Sequence, residues 1–254
     1  SVKKALSIIK KFKYNIGTEY ILPDKALGRI TSDNILSKND NPPFNMSAMD
    51  GYAVSNKSSD NKYKVVDEIF AGSLSKRKIL KNEAVRVYTG SKLPLGTTSV
   101  IIQENTKNLK NNLILLTNNH YKKGEYIRKK GLDFNKNKIV IKKNKILGAR
   151  DIALLVAANC KKIKVYKKPK IAILSTGNEL IISKNKMKDG NVFASSLYML
   201  ESLVQLSFSE CNYKKIIKDD KNKIKKELNN AMKSDVIITT GGVSVGKKDL
   251  IRTS

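Results

Sequence analysis

The chain has 254 residues, 40% of them hydrophobic, and its 50 Lys and Arg against 22 Asp and Glu give a formal net charge of +28. That apolar content suffices for real cores, and no apolar run reaches eighteen residues, which excludes a membrane-spanning helix. Six of the basic residues are Arg and the rest are Lys, spread evenly among abundant Asn. Phosphate and base recognition favours the Arg fork, so the charge reads as a soluble, self-repelling, anion-attracting surface and not as a nucleic-acid interface.

Residues 1–12 have Val2, Leu6, Ile9 and Phe12 at helical spacing and lack the long apolar core of a secretory signal. A mixed stretch, "DKALGRITSDNILSKND", leads to Pro42 and Pro43. Residues 42–132 then carry short β-prone runs ("YKVVDEIF", "EAVRVYTG", "TSVIIQENT", "NLILLT", "EYIRKKG") divided by turn clusters, which predicts an inserted β-domain. "LGARDIALLVAANC" predicts a helix with Ile152, Leu155 and Val156 on one face. After Pro169 strands alternate with helices: "KIAILSTGNEL", a helix in "ASSLYMLESLVQLSF" opened by Ser caps, "CNYKKIIKDD", the helix "KNKIKKELNNAMKS", and "DVIITTGGVSVGKKD". That order predicts a parallel sheet covered on both faces. The fold class is therefore α/β plus β: a discontinuous N-terminal linker domain (1–41 and 133–167), a small β-domain (42–132), and an α/β domain (168–254) whose sheet is expected to be incomplete. Cys160 and Cys211 lack metal-ligand spacing and read as small buried hydrophobes, consistent with a reducing cytoplasm. His120 reads as a solvated loop residue.

In an open parallel sheet, ligands bind at the carboxyl ends of the strands. Three loops leaving that edge carry carboxylates: Glu179 after "ILSTGN", Asp219 and Asp220 after "YKKIIK", and Asp249 after "ITTGGVSVGKK". Gly241, Gly242 and Gly246 let the last of these loops turn tightly and point N–H groups at an anion. Carboxylates beside such a nest suit a phosphorylated ligand held with Mg²⁺. The loop matches neither the Walker P-loop nor the dinucleotide-binding fingerprint. Upstream, "NPPFNMSAMDGYAV" leaves Asp50 with two readings, a turn initiator or a carboxylate held out to a substrate.

Five blocks in order, "PPFNMSAMDGYAV", "VYTGSKLPLGTTSVIIQE", "IRKKGLDF", "KPKIAILSTGNEL" and "DVIITTGGVSVGKKD", resemble the molybdopterin molybdenumtransferase family, the MoeA and gephyrin C-terminal domain family. The resemblance implies a three-layer, molybdopterin-binding type of α/β domain. It implies a cytoplasmic enzyme that takes molybdate and adenylylated molybdopterin, releases AMP with Mg²⁺ assisting, and leaves molybdenum on the pterin dithiolene. It further implies an elongated homodimer with a site between subunits, a molybdopterin adenylyltransferase as partner, and neither nucleic acid nor membrane. Residue by residue, it implies catalytic roles for Asp50, Glu179, Asp219 and Asp249, with Glu179 and Asp249 toward Mg²⁺. Thr89, Asp133, Ser175, Thr176, Gly177, Thr240, Gly241, Gly242, Ser244 and Gly246 would meet substrate. Asn178 stands where the family has Asp; Ala194 and Ser196 stand where it has an Asp-x-Asn pair, so Ser196 would replace Asn. The family continues past the last matching block with a lysine- and proline-bearing loop and a further β-domain, so a shortened protein is expected. Two alternatives stay open: an adenylyltransferase sharing the α/β domain, and a non-catalytic molybdopterin-binding scaffold.

Overall fold

The computed structural model describes residues 1–12, 14–73, 77–118, 121–183, 187–241 and 250–251. The chain opens with helix α1 (Val2–Ile9) and strand β1 (Thr18–Ile21). Apart from short two- and three-residue pairs, the strands of one large sheet follow: β2 (Gly51–Val54), β3 (Lys62–Ile69), β4 (Glu83–Val87), β5 (Ser99–Ile102), β6 (Thr106–Asn108) and β7 (Leu113–Leu116). Helix α2 (Ala149–Ala157) and strand β8 (Ile163–Tyr166) come next. Then β9 (Lys170–Thr176), α3 (Ser195–Leu206), β10 (Glu210–Ile217), α4 (Lys221–Ala231) and β11 (Val236–Thr240) alternate as the sequence pattern predicts. Among the described residues no helix is long and apolar enough to cross a membrane.

The chain divides into two compact units. One comprises residues 34–142 and 149–161. Its centre is a six-stranded sheet in the order β5-β2-β4-β3-β7-β6, antiparallel except for the β3–β4 pair. Alternation along β2 and β4 sends Tyr52, Val54 and Ala84 to one apolar cluster and Ala53, Val85 and Val87 to another on the opposite face. Both faces are thus covered, which is why these strands read as near-continuous apolar runs. In α2 the buried positions are Asp151 and Leu155, four residues apart on one stripe. Val156 lies 100° further round and is 65% exposed, so the face predicted from Leu155 and Val156 together is corrected: it passes through Asp151 instead.

The other unit comprises residues 1–33, 143–148 and 162–254. Strand β1 pairs antiparallel with β8, Ile21 opposite Ile163. The sheet β10-β9-β11 is parallel throughout. Ile171 and Ile173 of β9 face α3 through Leu197 and Val204. Ala172 and Leu174 face α4 through Ile224 and Ala231. Helices therefore cover both faces of the sheet, and its central strand is buried from Ile171 to Thr176. Asp220 caps α4, its carboxylate accepting from Lys223 N at 2.9 Å, so of the Asp219–Asp220 pair only Asp219 is left to the strand edge. The Ser caps expected at α3 are a correction. The cap position is Ala194, which has no side-chain bond, while Ser195 and Ser196 already lie in the first turn. Helix α1 forms over the predicted stretch and buries none of its residues.

Candidate active site

Asp50 sits in the turn immediately before β2, in the unit built on the six-stranded sheet. Its Oδ1 accepts from the Thr89 amide at 2.8 Å and from the Thr89 hydroxyl at 2.8 Å. Its main-chain oxygen accepts from Gln103 N at 3.1 Å. Asp50 Oδ2 has no hydrogen-bond partner among the described residues, so one carboxylate oxygen is locked and the other is presented. The Thr89 amide first, then its hydroxyl, and further the Arg86 charge hold the Asp50 carboxyl below its ordinary value. Asp50 and Thr89, some forty residues apart in sequence, are therefore brought into direct contact.

Arg86 on β4 lies opposite Tyr52 on β2 and Glu68 on β3 in the sheet register. Its guanidinium is 4.8 Å from the Tyr52 ring centroid and 5.3 Å from that of Tyr88, within cation–π range. Arg86 Nη2 donates to Gln103 Oε1 at 2.6 Å. Tyr88 donates to Glu68 at 2.7 Å and stacks on Phe70 at 4.9 Å. An open pocket of about 740 Å³ lies against this array, lined in part by Tyr52, Glu68, Arg86, Gln103 and Glu104. These residues were not among the sequence candidates. The available signal was a mid-strand Arg, two positions before Tyr88, in a chain whose basic residues are nearly all Lys.

Asp133 is engaged elsewhere in the same unit. Arg128 Nη2 donates to both of its oxygens, at 3.2 and 3.0 Å, and Asn41 Nδ2 donates to Oδ2 at 3.0 Å. The Asp133 amide in turn donates to the Asn41 carbonyl at 2.9 Å. The loop that starts at Pro42 is thereby anchored at its base.

The other candidates gather at the carboxyl edge of the parallel sheet. The Ser175 and Thr240 hydroxyls bond across β9 and β11 at 2.8 Å. Thr176 and Gly177 continue β9 into its loop, and Gly177 N donates to Ile217 O at 3.1 Å. Asn178 and Asp219 exchange bonds: Asn178 N to Asp219 Oδ2 at 3.4 Å and Asp219 N to Asn178 Oδ1 at 3.2 Å. Lys218 Nζ adds a bond to Asn178 O at 2.8 Å. Of the two glycines here, Gly241 is sterically required, whereas Gly177 is crowded only by the end of a flexible side chain. A Cβ at Gly177 would lie 2.5 Å from Glu179 Oε1, because that carboxylate folds back over the glycine. Gly241 has φ +81°, and a Cβ there would lie 2.2 Å from the Thr176 carbonyl oxygen. Ser196 is exposed in the first turn of α3. Gly242, Ser244, Gly246 and Asp249 lie outside the described residues, as does His120. Among the described residues no group of three or more His, Cys, Asp or Glu could hold a metal ion. Cys160 is buried, and that burial raises its thiol pKa.

The sequence matches the MoeA N-terminal region (domain I and II) over residues 1–159 and a probable molybdopterin binding domain over residues 172–254. A protein named molybdopterin molybdenumtransferase from Nostoc sp. is 33% identical over 253 residues, covering 96% of this chain and 58% of that protein. Its namesake from Staphylococcus aureus is 31% identical over 258 residues, covering 98% of this chain and 61% of that protein. A crystal structure of the molybdopterin biosynthesis MoeA protein from Pyrococcus horikoshii superposes with a TM-score of 0.81 at 32% identity, covering 99% of this chain and 65% of that one. The chain thus spans about three fifths of the length of the curated relatives it matches. With one family region covering more than half of its length and relatives above 30% identity along nearly all of it, the chain belongs to the MoeA family.

Proposed function

We propose that this chain belongs to a molybdopterin molybdenumtransferase that inserts molybdate into adenylylated molybdopterin and releases AMP. The observation that carries this reading is the donor set at the parallel-sheet edge. It consists of the half-buried Thr240 hydroxyl, backed by the buried Ser175 and Thr176, the backbone turning at Gly177 and Gly241, and carboxylates at Glu179 and Asp219. These are hard oxygen and N–H groups suited to phosphate and oxyanion chemistry, with no soft ligand to compete for molybdenum. The dithiolene sulfurs come with the substrate.

The Thr240 hydroxyl and main-chain N–H groups bind the bridging phosphates, and the glycines let the ligand approach the backbone closely. Glu179 and Asp249 are the carboxylates that the family resemblance assigns to Mg²⁺; Glu179 follows the β9 edge, and Asp249 lies outside the described residues. Mg²⁺ takes one or two carboxylates with phosphate oxygens and water, and when bound it offsets charge developing at phosphorus. Asp50 Oδ2 orients the molybdate or the attacking oxygen, while Thr89 keeps the carboxylate aimed and ionised. In a homodimer, Asp50 of one subunit serves the strand edge of the other.

Incubation with molybdate and adenylylated molybdopterin tests the activity. Molybdate-dependent AMP release is expected, and binding without release by the intact protein overturns the enzymatic reading. ATP turnover with molybdopterin alone would favour an adenylyltransferase. Mixing Asp50→Ala and Glu179→Ala subunits tests the shared site. A shared site leaves one intact centre in each mixed dimer and restores activity, whereas sites within single subunits leave the mixture inactive.

A further inference from the structure

We propose that Arg86 is a positioning residue for Asp50, a clamp that fixes the two segments bracketing that carboxylate. The inference rests on the catalytic reading of Asp50 given above. The first segment follows β4 and carries Tyr88 and Thr89. The second follows β5 and carries Gln103. Arg86 touches both, through the Tyr88 ring at 5.3 Å and through Gln103 Oε1 at 2.6 Å. Each segment bonds Asp50 in turn: Thr89 holds Oδ1 through two donors, and Gln103 N holds the main-chain oxygen. Tyr52 on the neighbouring strand adds a second ring, 4.8 Å from the guanidinium.

The clamp is chemically specific to Arg. A planar, permanently charged guanidinium stacks on aromatic rings and donates sideways at the same time, which a Lys ammonium does not do. The acceptor at Gln103 is a neutral amide, so the Arg86 charge is not cancelled there. The titratable groups on the elements around Asp50 are Tyr52 on β2, Arg86 and Tyr88 on and after β4, and Glu104 beside Gln103; Glu68 on β3 is bonded to Tyr88. Of these, Arg86 supplies the charge that acts on Asp50 and favours its ionised form. A second face of Arg86, toward the pocket of about 740 Å³, is shared with Glu68 and Glu104. That acidic company disfavours a direct role in binding an anionic substrate, which leaves positioning as the function of this arginine.

The test compares R86M, R86K and D50N with the unaltered protein by three readouts: the ¹³C carboxyl titration of Asp50, assigned by its loss in D50N; the steady-state AMP-release kinetics; and the melting temperature. R86M is expected to move the Asp50 midpoint and the acid limb of the rate profile to higher pH. It is expected to lower kcat on the order of tenfold while KM stays within about twofold. R86K is expected to restore the midpoint, because the charge returns, but not kcat, because the planar clamp does not. If D50N is inactive and R86M leaves both kcat and the Asp50 midpoint unchanged, the clamp is wrong and the catalytic reading of Asp50 stands. A rise in KM with kcat unchanged makes Arg86 a substrate-binding group and also overturns the clamp. If D50N is fully active, the catalytic reading fails, and the titration of Asp50 in R86M still decides whether Arg86 acts on it.

Discussion

The two carboxylate settings differ in how far side chains build them. Around Asp50, position comes from side chains: Thr89, Arg86, Tyr52, Tyr88 and Gln103 interlock across strands of one sheet. At the parallel-sheet edge, main chain enters directly: Gly241 packs on the Thr176 carbonyl, and the Asn178 and Asp219 N–H groups each donate to the other's side-chain oxygen, beside the Ser175–Thr240 hydroxyl pair. Side-chain interlocks can be loosened one atom at a time. Main-chain approaches leave nothing to loosen, so errors there should cost stability before they cost chemistry.

The largest expected effect is at Gly241. Gly241→Ala drives a Cβ against the Thr176 carbonyl at 2.2 Å in a left-handed conformation, and should destabilise its unit by about 3 kcal/mol in urea unfolding. Gly177→Ala meets only the far end of the Glu179 side chain. It should cost about 1 kcal/mol and act mainly by displacing that carboxylate, seen as lost AMP release with near-normal melting. Equal losses of stability in the two variants would erase the contrast. Next comes Ser175→Ala, which leaves the Thr240 hydroxyl without its buried partner and should cost about 1 kcal/mol in the same measurement.

The smallest effect belongs to the side-chain setting. Thr89→Val keeps the amide bond to Asp50 and deletes the hydroxyl. The Asp50 carboxyl is held below its ordinary value in the fold, so its contribution is complete above the unfolded carboxylate range and fades as pH falls through the folded value. Losing one donor raises the folded value and starts the fade at higher pH. Urea midpoints followed down the acid range should reveal the shift, and superimposable profiles would mean the hydroxyl is idle.

Much of this was legible in the sequence, for physical reasons. A strand buried on both faces must be apolar throughout, so "KIAILST" could be read as the sheet centre, and the helices beside it followed from their periodicity. Asp219 and Glu179 could be placed at one edge because parallel strands send their following loops to the same end. The Arg86 array could not be read. Its members at 52, 68, 86 and 103 meet only through strand register, which no local pattern encodes. Val156 was misplaced because a helix of nine residues offers two overlapping apolar stripes, and packing chose the one through Asp151 and Leu155. The cap of α3 was misread because Ser195 and Ser196 look like caps, whereas the helix starts from Ala194, itself packed in the α3 core cluster.

Strand β1 and its partner β8 carry a consequence for synthesis. Ile21 pairs with Ile163, about 140 residues later in the chain. At a ribosomal pace of roughly 5–20 residues per second, β1 waits on the order of 7–30 s for its ladder. Most of the intervening unit, residues 34–142, emerges during that wait and can begin to collapse first. The exposed β1 edge is therefore a temporary hazard of the nascent chain, and the single charge of β1, at Glu19, is the feature that counters it until the partner strand arrives.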